Sequence, residues 1–349
     1  MPFESYHQSL MMQNFTAFQA IAFEFVPGIN VFVGENGTGK THVMKALYAV
    51  QLTQSREQAI DLALNELFQT RDIGDIARFG IGSEGTLSVS GVYGNHAWSY
   101  WIQPFAHPRT TNMSGPILNT ETLKAERPVF IPAIDMMGHT KGFTEAYAEV
   151  RLDFDLTCRD IVNLLRLERK NGTEKAHLSS DISKPFARLL KGEIERDDAG
   201  RFYLVTKQGR LPMPMVAEGL RKIATLVQLE RNGWLSPGAT LFWDEPEVNL
   251  NPVLMGEVVG AILALSRQGV QVILATHSYV ILKELELQAN QEDQVRYFSF
   301  QPGENGTTVN ATEEFSLIAP NPILDQYASL YDRELTRSTG RNRQRERVR

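Results

Sequence analysis

A glycine-rich turn between a buried strand and a helix is the feature that most constrains how this chain can fold. Residues 34–41 read GENGTGKT and directly follow the apolar run 29–33. The spacing G-x-x-x-x-G-K-[ST] is that of a phosphate-binding loop, in which glycines let successive backbone N–H groups converge on phosphate oxygens. A helix predicted over 42–52 directs the positive end of its dipole at the same place. This order predicts an α/β domain that binds a nucleoside triphosphate.

Two side chains at the end of this loop suit the chemistry of a triphosphate. Lys40 is expected to neutralise the β and γ phosphates, and Thr41 to place its hydroxyl on Mg²⁺. A chance match of a short motif is the alternative. The strand before the loop and the helix after it are the context that the motif requires, so we favour the phosphate-binding interpretation.

A second apolar strand, predicted over 239–243, ends in the acidic sequence Asp244-Glu245-Pro246-Glu247. Asp244 can hold Mg²⁺ directly or through water, and Glu245 can accept a proton from an attacking water. Two adjacent buried carboxylates without a function would be costly. The alternative is an acidic turn that only caps the strand.

A histidine follows a third apolar strand, predicted over 270–275. Because parallel sheets present ligands at the carboxyl ends of their strands, His277 is placed to hydrogen-bond a γ-phosphate or to hold the water and Glu245. A structural role is the alternative, since a single histidine is often structural.

The remaining pattern is that of strands alternating with helices. Runs that are apolar throughout predict a parallel sheet covered on both faces. Other predicted elements are hairpins over 10–14 with 21–25, 85–92 with 96–102 and 193–195 with 202–206, a strand over 129–131, a long excursion over 104–126, interrupted helix over 152–190, and helices over 220–229 and 322–335.

Composition excludes several classes of protein. The chain has 349 residues, 42% hydrophobic and 22% charged, which is ordinary for one large or two modest globular domains. One cysteine, Cys158, rules out an internal disulfide framework and fits a reducing cytosol. No apolar run approaches the roughly 20 residues that a membrane helix needs, and no signal peptide is recognisable. We expect a cytoplasmic protein without a membrane partner.

Charge is concentrated at the end of the chain. The net charge is −6, whereas residues 337–349 hold six arginines and one glutamate, which gives +5 there and −11 elsewhere. This tail is suited to bind the phosphate backbone of a nucleic acid. The alternative is a solvated, disordered tail over 336–349.

Four segments in order resemble those of a known group of ATPases: GENGTGKT, MVAEGLRKI, LFWDEPE and ATHS. They are similar to the Walker A, signature, Walker B and switch-histidine segments of ABC-type ATPases of the RecF, SMC and OLD group. The DEPE sequence and a short inserted lid make compact OLD-like ATPases without a nuclease domain the most similar. The resemblance covers about 10–52 and 211–300, and the middle of the chain is only loosely similar.

This resemblance implies an ABC-ATPase-like P-loop fold, with a mixed or parallel sheet flanked by helices and an inserted helical and β-hairpin lid. The implied division is an amino-terminal part of the ATPase domain over 1–126, the lid over 127–210, a carboxyl-terminal part over 211–335 and the basic tail over 336–349. The family's glutamine-bearing loop has no clean counterpart here, although 130–145 occupies the right place in the order. Phe15 or Phe18 is expected either to stack on adenine or to pack in the core.

The resemblance also assigns roles by position. Lys40 and Thr41 bind phosphate and metal, Asp244 supports the metal, Glu245 is the base and His277 senses the γ-phosphate. The other implied ATP contacts are Gly34, Asn36, Gly37, Thr38 and Gly39 in the loop, and Ala217, Glu218 and Gly219 reaching ATP across a head-to-tail dimer. Ala217 stands where the family usually has serine, which removes one hydroxyl donor to the γ-phosphate.

The implied function is that of an ATPase subunit with ATP and Mg²⁺ as cofactors. It forms a homodimer or higher homo-oligomer and controls a partner effector, a nuclease or a toxin-like protein, as in bacterial defence against phage. One alternative is a RecF-like DNA-binding repair or recombination ATPase. A third hypothesis is a scaffold that binds ATP without turnover.

Overall fold

The computed structural model describes residues 5–55, 59–78, 85–102, 125–150, 152–169 and 189–346. The strands there are β1 (His7–Phe15), β2 (Phe18–Glu24), β3 (Ile29–Gly34), β4 (Leu87–Tyr93), β5 (His96–Ile102), β6 (Val129–Ile131), β7 (Gly192–Arg196), β8 (Phe202–Thr206), β9 (Gly209–Pro212), β10 (Thr240–Asp244), β11 (Gln271–Thr276), β12 (Val295–Gln301) and β13 (Thr308–Thr312). The helices are α1 (Lys40–Gln54), α2 (Ile60–Phe68), α3 (Phe143–Val150), α4 (Leu156–Arg166), α5 (Glu218–Arg231), α6 (Pro252–Arg267), α7 (Tyr279–Gln288) and α8 (Pro322–Glu346).

A six-stranded sheet in the order β13-β12-β3-β11-β10-β6 forms the centre of the fold. Its strands are parallel except β13, which pairs antiparallel with β12. Every residue of β3, β10 and β11 is buried, which confirms the prediction of a sheet covered on both faces. The α/β fold with a mixed sheet is therefore as predicted.

Alternate residues of the central strands supply two separate hydrophobic cores. Val31 and Leu241 belong to the core that α4, α5, α6 and α7 cover. Phe32 and Phe242 belong to the opposite core, which α1, α2 and the antiparallel strands cover. A period of two along buried strands is what a sheet between two layers requires.

The two amino-terminal hairpins form where the sequence predicts them, and they join into one sheet in the order β2-β1-β4-β5. Gln271, the first residue of β11, connects this sheet to the centre. Its side-chain amide donates to the carbonyl oxygens of His7 at 2.9 Å and Val26 at 3.0 Å, and its oxygen accepts from the His7 N–H at 2.9 Å. All of these polar groups are satisfied by one buried side chain.

The region predicted as an inserted lid differs from the prediction in two respects. The hairpin of β7 and β8 gains a third strand, β9, which is too short and too exposed to show a strand pattern in the sequence. The strand β6 lies at the edge of the central sheet, although the predicted division assigns it to the lid. Residues 104–124 of the predicted excursion and 170–188 of the predicted helical region lie outside the described residues.

The prediction of a disordered tail from residue 336 is wrong as far as residue 346, because α8 continues to Glu346 instead of ending at 335. The segment beyond 335 is rich in arginine, which favours helix, and has no proline to end it. None of the helices in the described ranges is long and apolar enough to cross a membrane.

Replacing Gln271 with methionine is expected to lower the free energy of unfolding by about 3 kcal/mol, because the buried backbone N–H and carbonyl of His7 lose their hydrogen-bond partner. Chemical denaturation measures this change. Gln301 is exposed at the end of β12, and its replacement with methionine is the control, with an expected change within about 0.5 kcal/mol. Equal effects of the two substitutions would contradict the assigned role of Gln271.

Candidate functional site

Three neighbouring strands of the central sheet end at the same edge, and each is followed by residues that the sequence singles out. Val33 of β3 lies opposite Thr276 of β11, and Ala275 of β11 lies opposite Asp244 of β10. The phosphate loop, the acidic turn and the histidine therefore start side by side. Ligands of open α/β sheets bind at such carboxyl edges.

The backbone of residues 34–41 has the shape of an anion cradle. Gly37 and Gly39 have φ angles of +77° and +93°, a region that favours glycine. A Cβ on Gly39 would also lie 2.6 Å from the Phe18 ring. Gly39 begins α1 without any side-chain cap, so the first N–H groups of this helix point at the loop without a side-chain partner. The loop fits a phosphate group.

Phe18 supports this loop from within the core. Phe15 and Phe18 are both fully buried, and the ring of Phe18 also packs edge-on against Phe300. Both aromatic rings therefore pack in the core, and neither presents a face on which adenine could stack.

Lys40 is folded back onto its own loop. Its ammonium donates to the carbonyl oxygens of Gly34 at 3.0 Å and Glu35 at 2.8 Å, and the residue is 6% exposed. Burial lowers the pKa of Lys40 to about 8, against the effect of the nearby carboxylates, of which Asp244 is the strongest. The hydroxyl of Thr38 also donates to the Glu35 carbonyl, at 2.8 Å, and holds the loop closed.

The Thr41 hydroxyl donates to Oδ2 of Asp244 at 2.9 Å, which joins the phosphate loop to the acidic turn. Asp244 is buried, and burial raises its pKa to about 6; the Thr41 hydrogen bond lowers it and the charge of Glu245 raises it. A hydroxyl and a carboxylate at this distance are the oxygen ligands that Mg²⁺ prefers. The pair fits the predicted metal site.

The predicted base and the predicted γ-phosphate sensor lie together. Nε2 of His277 is 3.5 Å from Oε1 of Glu245, and both side chains are partly exposed. Glu245 has a φ of +48°, unusual for a residue with a side chain, and its N–H donates to the Ala275 carbonyl at 2.9 Å. Burial is the main cause that lowers the pKa of His277, with the charge of Lys40 adding to it, so the neutral ring is favoured.

Two further residues, Glu247 within the acidic turn and Lys222 outside it, make contacts at this edge that are not predicted from the sequence. Glu247 accepts hydrogen bonds from the Thr276 hydroxyl and the His277 N–H. Lys222, buried on α5, donates to the backbone carbonyl of Glu245 at 3.0 Å. The signals in the sequence are a third carboxylate in the acidic turn and a lysine on the apolar face of a helix, but only the folded sheet shows what they touch.

The predicted signature residues lie at the start of α5. Ala217 is exposed and Glu218 is partly exposed, while a Cβ on Gly219 would lie 2.9 Å from the Asn249 carbonyl oxygen. Within the described ranges no hydrogen bond or ion pair joins residues 217–219 to the phosphate loop of the same chain. The structure thus brings the Walker A, Walker B and histidine residues together, whereas of the signature residues Ala217 is exposed, Glu218 is partly exposed and Gly219 is buried.

Two family models match parts of the chain. Residues 143–283 match a family described as "AAA domain, putative AbiEii toxin, Type IV TA system", and residues 9–73 match an AAA domain family. The DNA replication and repair protein RecF of Limosilactobacillus fermentum is 39% identical over 57 residues, which are 16% of this chain and 15% of that protein. RecF of Streptococcus suis is 35% identical over 85 residues, 24% of this chain and 19% of that protein.

Solved structures show the fold. An SMC head bound to the C-terminal winged-helix domain of ScpA aligns with a TM-score of 0.54 at 14% identity, over 88% of this chain and 98% of that one. A Pyrococcus furiosus SMC head domain, bound to the C-terminal domain of ScpA, aligns with a TM-score of 0.55 at 12% identity, over 94% and 99%. The chain has the SMC-head-like ABC ATPase fold, and parts of it match AAA domain families and RecF. The finer resemblance to OLD-like ATPases stays a prediction.

Metal binding at this edge is expected to weaken as the pH falls through about 6, because the raised pKa of Asp244 lets a proton compete for the carboxylate. Titration with Mn²⁺ as a probe, at about pH 7.5 and about pH 5.5, measures the effect. Asp244→Asn is the matched variant, and it is expected to bind Mn²⁺ weakly at both pH values. A wild-type affinity that does not change with pH would contradict the assignment.

Proposed function

We propose that this chain is an Mg²⁺-dependent ATPase of the compact OLD-like kind, which pairs with a second copy around ATP and controls a partner protein. The observation that carries the proposal is the meeting of Lys40, Thr41, Asp244, Glu245 and His277 at one edge of the sheet. That set combines phosphate binding, metal binding, a base and a polar group near the base.

Each residue has a part in hydrolysis. Lys40 would leave the loop carbonyls and donate to phosphate oxygens, while Thr41 and Asp244 would hold Mg²⁺, which would neutralise phosphate charge. Glu245 accepts a proton from the attacking water as that water bonds to phosphorus and the γ-phosphate leaves ADP. His277, with its ring 3.5 Å from the Glu245 carboxylate, orients Glu245 and the attacking water.

Pairing with a second copy is supported by the place of two signature residues. Ala217 is exposed and Glu218 is partly exposed at the start of α5, so they are available to the nucleotide of a second protomer. With alanine at 217, the hydroxyl donor is absent, and the N-terminus of α5 and its N–H groups supply the contact. Both sites gain contacts only when two copies meet, so ATP favours the dimer.

The biological role in this proposal is control of an effector, a nuclease or a toxin-like protein, in defence against phage. Its support is the match of residues 143–283 to a family whose description includes a toxin of a type IV system. An ATP-dependent dimer provides two states, and a partner that binds one of them more tightly is controlled by hydrolysis.

Replacing Glu245 with glutamine is expected to lower kcat by about 10²-fold or more while ATP still binds, because the base is lost and the phosphate contacts remain. Lys40→Ala is expected to abolish binding of ATP. Phosphate release and size-exclusion chromatography with ATP check both variants, and Glu245→Gln should accumulate the dimer. Glu257→Gln on the exposed side of α6 is the control. Equal turnover in wild type and Glu245→Gln would contradict the assignment of Glu245 as the base.

A second candidate is a RecF-like ATPase that binds duplex DNA, favoured by the local similarity to RecF. It predicts DNA binding that requires ATP, weakens steeply with salt and is lost when the arginine-rich residues 337–349 are removed. Fluorescence anisotropy at several salt concentrations tests it. Full-length protein without DNA affinity in the presence of ATP would exclude this candidate.

A further inference from the structure

The third carboxylate of the acidic turn, Glu247, reaches across from the end of β10 to the end of β11. Its Oε1 accepts a hydrogen bond from the Thr276 hydroxyl at 2.9 Å and another from the backbone N–H of His277 at 2.5 Å. Two donors on consecutive residues converge on one oxygen. The direction in which the His277 side chain leaves the backbone is therefore fixed by Glu247.

The same turn is attached to β11 at its other end. The N–H of Glu245 donates to the Ala275 carbonyl at 2.9 Å, so the turn is held to β11 both before and after Pro246. Glu245 itself has a φ of +48°, a conformation that persists when surrounding contacts enforce it. The distance of 3.5 Å between the Glu245 carboxylate and the His277 ring depends on these attachments.

The contact comes with a loss of stability. Oε2 of Glu247 is buried and has no hydrogen-bond partner within the described part of the chain. Leaving a buried acceptor unpaired costs about 1–3 kcal/mol. The contact of Glu247 with Thr276 and His277 is therefore made at a cost to the stability of the fold.

We infer that Glu247 is a positioning residue, which holds the His277 ring against the Glu245 carboxylate so that both face the attacking water. This inference rests on the proposed ATPase function. Glu247 thereby joins Glu245 and His277, the two residues that act on water. It acts through His277 and does not touch the nucleotide.

Glu247→Ala is expected to lower kcat by about 10²-fold, the effect of a displacement of about 1 Å in a reacting group. Affinity for a fluorescent ATP analogue should stay within about threefold, since Glu247 makes no hydrogen bond to the phosphate loop. The key comparison is made in a His277→Ala background, where Glu247→Ala should cause no further loss of kcat. A residue that only stabilises the fold would lower kcat by the same factor in both backgrounds, and that result would overturn the inference.

Two milder variants keep the test decisive if Glu247→Ala does not fold. Glu247→Gln retains an oxygen at the right reach, and its kcat should stay within about threefold of wild type. Glu247→Asp keeps the charge but is one methylene shorter, and it should lose most of the activity. The opposite order, with aspartate more active than glutamine, would overturn the inference because charge and not reach would then matter.

Matched controls separate this inference from the proposed function. Glu257→Ala, on the exposed side of α6, should leave kcat and the melting temperature unchanged. If the wild type hydrolyses no ATP, or if Glu245→Gln is as active as the wild type, the proposed function fails. If those two results are as proposed and Glu247→Ala turns over ATP like the wild type, only the role of Glu247 fails.

Discussion

The parallel pairing of β3, β11 and β10 is the constraint on which the rest of the site depends. Because these strands are buried on both faces, a shift of one residue would move every side chain into the opposite core. The register is therefore strongly specified by two separate sets of apolar contacts. It places Val33 opposite Thr276 and Ala275 opposite Asp244, so the loops that carry the chemistry begin beside one another.

Polar groups at this edge form hydrogen bonds with one another. Lys40 donates to loop carbonyls, and Thr41 donates to Asp244. Burial draws the pKa of Lys40 down to about 8 and that of Asp244 up to about 6, since a low-dielectric site disfavours both charged forms. If phosphate and Mg²⁺ bind here as proposed, they would replace these internal contacts with stronger charged ones, and binding would favour the charged forms of both side chains.

Much of this site is predictable from short stretches of sequence, because each of its loops follows its own strand directly in the chain. An apolar run followed by a glycine-rich loop or by two carboxylates identifies Lys40, Thr41 and Asp244 without knowledge of the fold. What escapes prediction is long-range: Glu247 and Lys222 matter only once β10 lies beside β11 and α5 lies beneath the acidic turn.

Other elements escape prediction for separate physical reasons. The strand β9 is short and exposed, so it carries no alternating pattern. Phe18 has the character of a stacking residue, yet the close approach of Gly39 to its ring shows that it supports the phosphate loop. The helix α8 continues beyond 335 because the arginines there favour helix and no proline ends it, while net charge alone predicts a solvated tail.

Two contacts attach the first turns of α5 to neighbouring segments, and one of them ends on the backbone of Glu245. Arg221 forms a buried ion pair with Asp135 at 2.6 Å, and Lys222 donates to the carbonyl of Glu245. Two consecutive side chains thus attach the first turns of α5 to the segment after β6 and to the turn after β10. Neither contact uses the side chain at 217, so the alanine there leaves this connection intact. If a second protomer engages the exposed start of α5, as proposed, it acts on a helix that is attached to the turn after β10.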